Sequence, residues 1–286
     1  MPPLETMQGL WIGPALSPVE RLSIRSFLDH GHPFRLFAYE PVEGVPDGVE
    51  LADASAVLPR ERMFVQATGA NRGSVAPFSD LFRYRLLRDA GGWWTDLDVV
   101  CLAPLALDAA FVVGRERHRW GEQVCSAIMR LPPASPFARA CLARVEACDL
   151  ATAAYGATGP RLVDEEVRAA GLFDRTFAPQ VFYPVDPGRA RDLLDPRKAI
   201  NLQGSLTVHL WNEMWRRGGW SKTGTYHPDT LFERLKARHG IRSTGEPCPS
   251  PPPGKPLTHL AWRAVRRGLR NLVGGGRRPG DRTGAR

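Results

Sequence analysis

The chain has 286 residues, 43% hydrophobic and 24% charged, which suits one large domain or two small ones and excludes wholesale disorder. Its formal charge of +8 first suggests an anionic partner such as nucleic acid. From Lys255 to Arg286, however, nine bases face the single acid Asp281, so the whole net charge lies there and residues 1–254 carry 29 bases and 29 acids. A neutral body offers no basic groove, and no nucleic acid partner is expected for it.

Met1-Pro-Pro-Leu-Glu5 has no basic n-region and no long apolar run, which argues against a secretory signal peptide. No stretch reaches the ~20 apolar residues of a membrane-spanning helix. Gly9-Leu-Trp-Ile-Gly13 reads as a first buried strand. Ser17 is a candidate N-cap with Pro18 behind it, and apolar positions 19, 22, 24, 27 and 28 fit an amphipathic helix. Phe34 to Tyr39 is a second strand, so strand, helix and strand follow one another within forty residues. That alternation predicts an α/β fold with a parallel sheet.

A helix is predicted from about Pro77 to Ala90, stopped by Gly91-Gly92, and then a short strand from Trp93 to Leu102 interrupted by acids. Phe111–Gly114 and Val124–Met129 read as further strands, with a densely charged loop, Arg115 to Glu122, between them. Helices are predicted over Pro136–Cys148 and Leu162–Ala170, and late apolar pieces lie at Gln180–Tyr183 and Leu206–Trp211. The five cysteines are odd in number and form no C-x-x-C pair, which points to isolated reduced thiols in a cytoplasmic protein. Six prolines between Gly245 and Pro256 predict an extended linker. The expected organisation is a body over 1–245, a Pro-rich linker over 246–256 and a basic amphipathic tail over 257–286.

Asp96 and Asp98 stand two positions apart at a strand end, so their carboxylates share one face. Like charges held on one edge repel unless a cation or hydrogen-bond donors lie between them. A hard divalent ion, Mn²⁺ or Mg²⁺, bridging to phosphate oxygens is the usual solution. Alone, such a triplet reads equally as a solvated strand end.

Its setting is more specific. From Phe78 to Val100 the chain reads Phe-Ser-Asp80-Leu-Phe-Arg83-Tyr-Arg-Leu-Leu-Arg-Asp-Ala-Gly-Gly-Trp-Trp-Thr-Asp96-Leu-Asp98-Val-Val. This closely resembles the glycosyltransferase family with a sugar-binding region containing a DXD motif, which includes α-1,4-galactosyltransferase-like and initiating mannosyltransferase-like enzymes. The match is dense over 78–98 and weaker over roughly 7–245. The resemblance implies a GT-A fold, Rossmann-like with a mixed central sheet, and retaining, metal-dependent transfer from a nucleotide sugar. It makes Asp98 the direct metal ligand. Asp96 would contact ribose and sugar, or the metal through water, while Asp80 and Arg83, one helical turn apart, hold donor-sugar hydroxyls. A carboxylate beside a guanidinium supplies both acceptors and donors for such hydroxyls; an i, i+3 surface pair is the plainer reading.

Trp11, with Ile12 beside it, lies where such enzymes stack the nucleobase, though Trp11 reads equally as core. His209 is the late polar residue that would ligate the metal or donate to phosphate, and Trp211 and Trp215 would line the site or fill the core. Thr158, in Tyr155-Gly-Ala-Thr-Gly-Pro160, resembles the family's T-G-P turn on the acceptor side. Where relatives carry Asn, this chain reads Val124-Cys-Ser-Ala127, which leaves acceptor contacts open. For inverting chemistry, Glu122 or Asp164 would be the base. The implied partners are a UDP- or GDP-sugar donor and a glycan or lipid-linked acceptor.

Asp96-Leu-Asp98-Val-Val100 also matches the nucleophile motif of haloacid-dehalogenase-type phosphatases, but that motif ends an early strand and no lysine stands in the expected context. A nucleotide-sugar-binding protein without turnover is a third reading. In the tail, apolar residues at 257, 260, 261, 264, 265, 269, 272 and 273 oppose Arg263, Arg266, Arg267 and Arg270. That pattern predicts an interfacial helix over 257–273 on an anionic membrane, the enzyme being peripheral on its inner face; docking on the body or disorder are the plainer readings.

Overall fold

The computed structural model describes residues 3–67, 72–149 and 157–252. Ser17 starts the first helix, α1 (Pro18–Asp29), through a capping box. Its hydroxyl accepts from the amide of Val19 at 3.3 Å and its own amide donates to Glu20 Oε2 at 2.9 Å. The helix lies between β1 (Met7–Trp11) and β2 (Phe34–Ala38), which pair in parallel from Met7↔Phe34 to Trp11↔Ala38. β2 pairs in turn with β3 (Val49–Asp53), again in parallel. The chain then crosses to the other side of β1 through α2 (Ala76–Asp89) and enters β4 (Gly92–Thr95), parallel to β1. Gly91 and Gly92, at φ +66° and +84°, make the turn between helix and strand that a side chain would strain.

The remaining strands are antiparallel. β5 (Val99–Cys101) leaves the main sheet and pairs with β8 (Thr207–His209), whereas β6 (Val112–His118) and β7 (Gly121–Leu131) complete the main sheet beside β4. The six-stranded order is β3-β2-β1-β4-β7-β6. This is the α/β class with a mixed, Rossmann-like central sheet implied by the resemblance to GT-A enzymes, rather than an all-parallel sheet. The remaining helices are α3 (Pro136–Glu146), α4 (Pro160–Ala169), α5 (Pro179–Phe182), α6 (Asn212–Gly218) and α7 (Leu231–Arg238).

Neighbouring residues on the strands feed two cores, one on each face of the sheet, as the period of two requires. Leu36, Trp93 and Val112 pack with α1, β5 and α7, while Phe37, Trp94 and Val113 pack with α2, α3 and α4.

Three sequence expectations change. The predicted strand Trp93–Leu102 is two strands in different sheets, interrupted at Asp96-Leu97-Asp98; Asp96 still donates its amide to Ala127 O of β7 at 2.7 Å, and pairing resumes at Val99 with β8. Most of the charged loop 115–122 is strand: Arg115, Glu116 and Arg117 alternate along β6, opposite Val124, Gln123 and Glu122 of β7. The 246–252 half of the expected linker lies on the body, where the Thr225 amide donates to Glu246 O at 3.1 Å and that of Cys248 to Thr225 O at 2.7 Å. The body unit accordingly runs to Pro252. The tail, 257–286, lies outside the described residues, and among these no helix is long and apolar enough to cross a membrane. Cys101, Cys125 and Cys141 are buried, and all five cysteines are free thiols.

Candidate active site at the carboxyl edge of the sheet

From β1 the chain first builds the sheet to one side, through β2 and β3, and then returns to place β4 on the other. The carboxyl ends of β1 and β4 therefore flank a topological switch point, where open α/β sheets leave a crevice for ligands. Trp11 and Ile12 stand at the end of β1, and Asp96 directly follows β4.

One set of residues reaches this edge from α2. Asp80 and Arg83 share a helix face, but it is an inward face: their side chains are 11% and 4% exposed, and Arg83 Nη1 lies 3.3 Å from Asp80 Oδ1. The surface-pair reading is thereby excluded. Arg83 Nη2 donates to Asp96 Oδ1 at 2.7 Å, and its guanidinium lies 5.0 Å from the centre of the Trp94 ring. Trp94 Nε1 donates to the same Asp96 oxygen at 2.8 Å. The Thr158 hydroxyl donates to Asp80 Oδ2 at 2.7 Å, while the Thr158 carbonyl accepts from Tyr84 OH at 2.9 Å. Thr158 thus supports Asp80; the preceding residues Tyr155 and Gly156 lie outside the described residues. At Gly159 a Cβ would come 3.1 Å from Asp80 Oδ2, so a side chain there would push the carboxylate aside by a few tenths of an ångström.

A second set descends from β8. His209 Nε2 lies 3.1 Å from Asp98 Oδ2, and the Asn212 amide donates to that oxygen at 2.7 Å. The Asp98 carbonyl accepts from the Leu210 amide at 2.8 Å. Trp211 packs its ring 3.9 Å from that of His209 and donates Nε1 to Val185 O at 2.8 Å, so it orients the histidine. Trp215 is core.

Sequence reasoning passed over a third set. Lys222 Nζ stands 5.6 Å from the centre of the Trp11 ring and pairs with Glu20 Oε1, and its charge acts on Asp98. Nothing in the spacing around Lys222 announces this, because it arrives on a turn more than a hundred residues after the acids. The same holds for the Asn212 amide, which has no side-chain signature. Three expected residues stay apart from these sets. Ile12 packs against the α2-side core, and Glu122 pairs with Arg115 at 3.1 Å. Asp164 accepts from the Val124 amide at 3.0 Å and bonds Arg168 at 2.8 Å, a structural use.

The electrostatics separate the two acids. Burial pushes Asp96 up to about 6, against Arg83 and with the help of Asp98. Burial also opposes ionisation of Asp98, but His209, by charge and hydrogen bond, outweighs it and holds Asp98 below the usual range. His209 is raised in return: burial disfavours its cation and Asp98 more than compensates. Burial raises Asp80 against the pull of Arg83 and Thr158. Several buried donors lack hydrogen-bond partners here, namely Trp11 Nε1, Arg83 Nε and His209 Nδ1. Orphaned donors are rare in folded proteins, and their gathering at one edge suits an oxygen-rich ligand.

The donor chemistry fits a hard divalent cation, although no three His, Cys, Asp or Glu side chains among the described residues form a metal-holding group. Asp96 and Asp98 are oxygen donors, and a cation of the Mg²⁺ type binds through one or two carboxylates plus substrate phosphates. His209 Nε2 is directed at Asp98 at 3.1 Å, which leaves Nδ1 as the nitrogen open to a ligand.

No protein-family model matches the chain. Among solved structures, the PaToxG glycosyltransferase is similar over 59% of this chain and 71% of its own, at 14% identity and a TM-score of 0.43. A transferase solved as a double cysteine-to-serine mutant is similar over 58% of this chain and 85% of its own, at 11% identity and a TM-score of 0.39.

Proposed function

We propose that the chain is a glycosyltransferase that moves a sugar from a nucleoside-diphosphate sugar, UDP- or GDP-linked, to a glycan or lipid-linked acceptor with retention at the anomeric carbon. The observation that carries this reading is the pair Asp96 and Asp98 at the switch point, each tied to a different buried cation, Arg83 and His209. Mn²⁺ or Mg²⁺ held by Asp98 and Asp96 would act as the Lewis acid that stabilises the departing diphosphate.

The local charges support that need. Asp80, Asp96, Asp98 and Glu20 oppose Arg83, Lys222 and a protonated His209. The cations are therefore already matched, and a diphosphate entering this edge brings charge that the side chains alone leave unbalanced. Asp80 and Arg83, fixed by Thr158 and Trp94, present an acceptor and donors to sugar hydroxyls without rotamer freedom left to lose. The Nδ1 proton of His209 is a free donor for a phosphate oxygen as negative charge grows there. In same-face transfer the leaving diphosphate takes the acceptor proton, so the site needs no separate base, and Glu122 and Asp164 are both engaged elsewhere. The phosphatase alternative loses ground because the acids leave β4 rather than an early strand.

The test is nucleotide and sugar release from UDP- and GDP-sugars with Mn²⁺, compared with phosphate release. Asp98→Asn should abolish transfer and leave the fold intact. Unchanged turnover in that variant would sink the assignment.

A further inference from the structure

Lys222 sits in a turn whose backbone is pinned on several sides. The Ser221 carbonyl accepts from Tyr226 OH at 2.9 Å, the Gly224 amide donates to Ser221 Oγ at 2.9 Å, and the Thr223 carbonyl accepts from Gly245 N at 2.8 Å. From this turn the side chain runs to β1 and α1. Its ammonium meets Glu20 Oε1, and it faces the Trp11 ring at 5.6 Å. Glu20 is 2% exposed at its side chain, and its two oxygens have separate duties: Oε2 accepts from the Ser17 amide that starts α1, and Oε1 holds Lys222.

A structural ion pair would end there. Two observations say that this one does not. The side chain of Lys222 remains 27% exposed, and an ammonium has three N–H donors, of which Glu20 engages one. Trp11, directly beneath, has a buried Nε1 with no hydrogen-bond partner. A cation with spare donors and an indole N–H without an acceptor therefore flank the end of β1, across the switch point from Asp96 and Asp98. Lys236 is the contrast: its side chain is 1% exposed and pairs with Glu233, three residues before it on α7, at 2.8 Å.

We infer that Lys222 is a diphosphate-binding residue, with Glu20 as the positioning residue that holds its ammonium over Trp11. This rests on the nucleotide-sugar reading above and adds to it a second cation for the leaving group, reached from the β1 side, opposite the acids. Glu20 keeps the long side chain ordered before the donor arrives, so less rotamer entropy is lost on binding. Lys222 has its effect on affinity for phosphate-bearing ligands and none on the nucleoside.

Removing Lys222 alone would leave the buried Glu20 carboxylate uncompensated. The informative protein is therefore the double variant Glu20→Gln with Lys222→Met, in which the amide still completes the capping box. Calorimetric titration of the full chain with UDP, GDP, uridine and guanosine, in Mn²⁺, reads the outcome. The double variant should bind the diphosphate that the wild type prefers about tenfold or more weakly, as for loss of a charge-assisted hydrogen bond. It should bind the matching nucleoside as the wild type does, and Lys222→Arg should recover most of the loss. Equal diphosphate affinity in wild type and double variant overturns the role of Lys222. So does a parallel loss of nucleoside binding, which marks a structural residue. A folded wild type that binds neither diphosphate removes the nucleotide-sugar reading itself, and the role of Lys222 with it.

Discussion

At the scale of single residues, Arg83 bears the heaviest electrostatic duty. Burial works against its charge, yet Asp96 and then Asp80 hold its protonated form in place. A guanidinium spans two carboxylates because its donors are arranged as a planar fork; an ammonium is a point and cannot. Arg83→Ala leaves Asp80 and Asp96 facing one another without a cation, and should cost roughly 3–5 kcal/mol in urea denaturation. A loss below about 1 kcal/mol would show that the pair is not a buried network. Thr158→Val removes one donor from Asp80 and should cost about 1–3 kcal/mol, the penalty for a buried acceptor left short. Asp96, Asp98, Asp80 and Arg83 were all legible in the sequence, because their chemistry is compressed into nineteen consecutive residues of strong pattern. Lys222 and Glu20 were not: Lys222 stands in no motif, Glu20 belongs only to the capping of α1, and only the fold brings the two together beside Trp11.

Among the elements, the turn between α1 and β2 carries its own titration. His32 Nδ1 donates to Glu5 O at 2.9 Å, while Nε2 accepts from the Leu105 amide at 3.0 Å. That arrangement needs the neutral ring, and burial lowers the His32 pKa from 6.5 despite the hydrogen bond to Glu5. The unfolded chain therefore takes up a proton more readily, so stability is highest above the ordinary histidine range and falls as pH drops through it. His32→Gln lacks that proton. Urea midpoints of wild type and variant should converge between pH 7 and 5.5, with the wild type losing more; parallel profiles would refute the role.

The elements also show where reading by pattern ends. Ser17 and Pro18 announce α1 because capping is local chemistry. β3 hides because it is an edge strand whose Leu51 is exposed, leaving little alternation to read. The second half of β6, from Arg115 to His118, hides because Glu116 is buried and bonded to His118 at 2.8 Å inside what looks like a solvated loop. Leu206–Trp211 reads as one unbroken apolar piece, yet only Thr207–His209 is strand, and Trp211 adopts φ +59° and turns the chain into α6.

For the whole molecule, charge and chemistry are divided along the chain: residues 1–254 are neutral, and the net +8 lies beyond. Deleting 255–286 should abolish sedimentation with anionic vesicles and spare activity on a soluble acceptor, whereas undiminished vesicle binding would assign adhesion to the body. Within the body, the acids occupy the short link between β4 of the large sheet and β5 of the small one. Asp96 is fastened to β7 through Ala127 O at 2.7 Å, and Asp98 is fastened to Leu210, just past β8, at 2.8 Å. Leu97 is all that separates the two fastenings, so the distance between the carboxylates is a gauge of how the sheets are set against each other. Any ligand that grips both acids clamps the sheets together, and slower hydrogen exchange at the Leu210 and Asn212 amides would register that clamping far from any chemical assay.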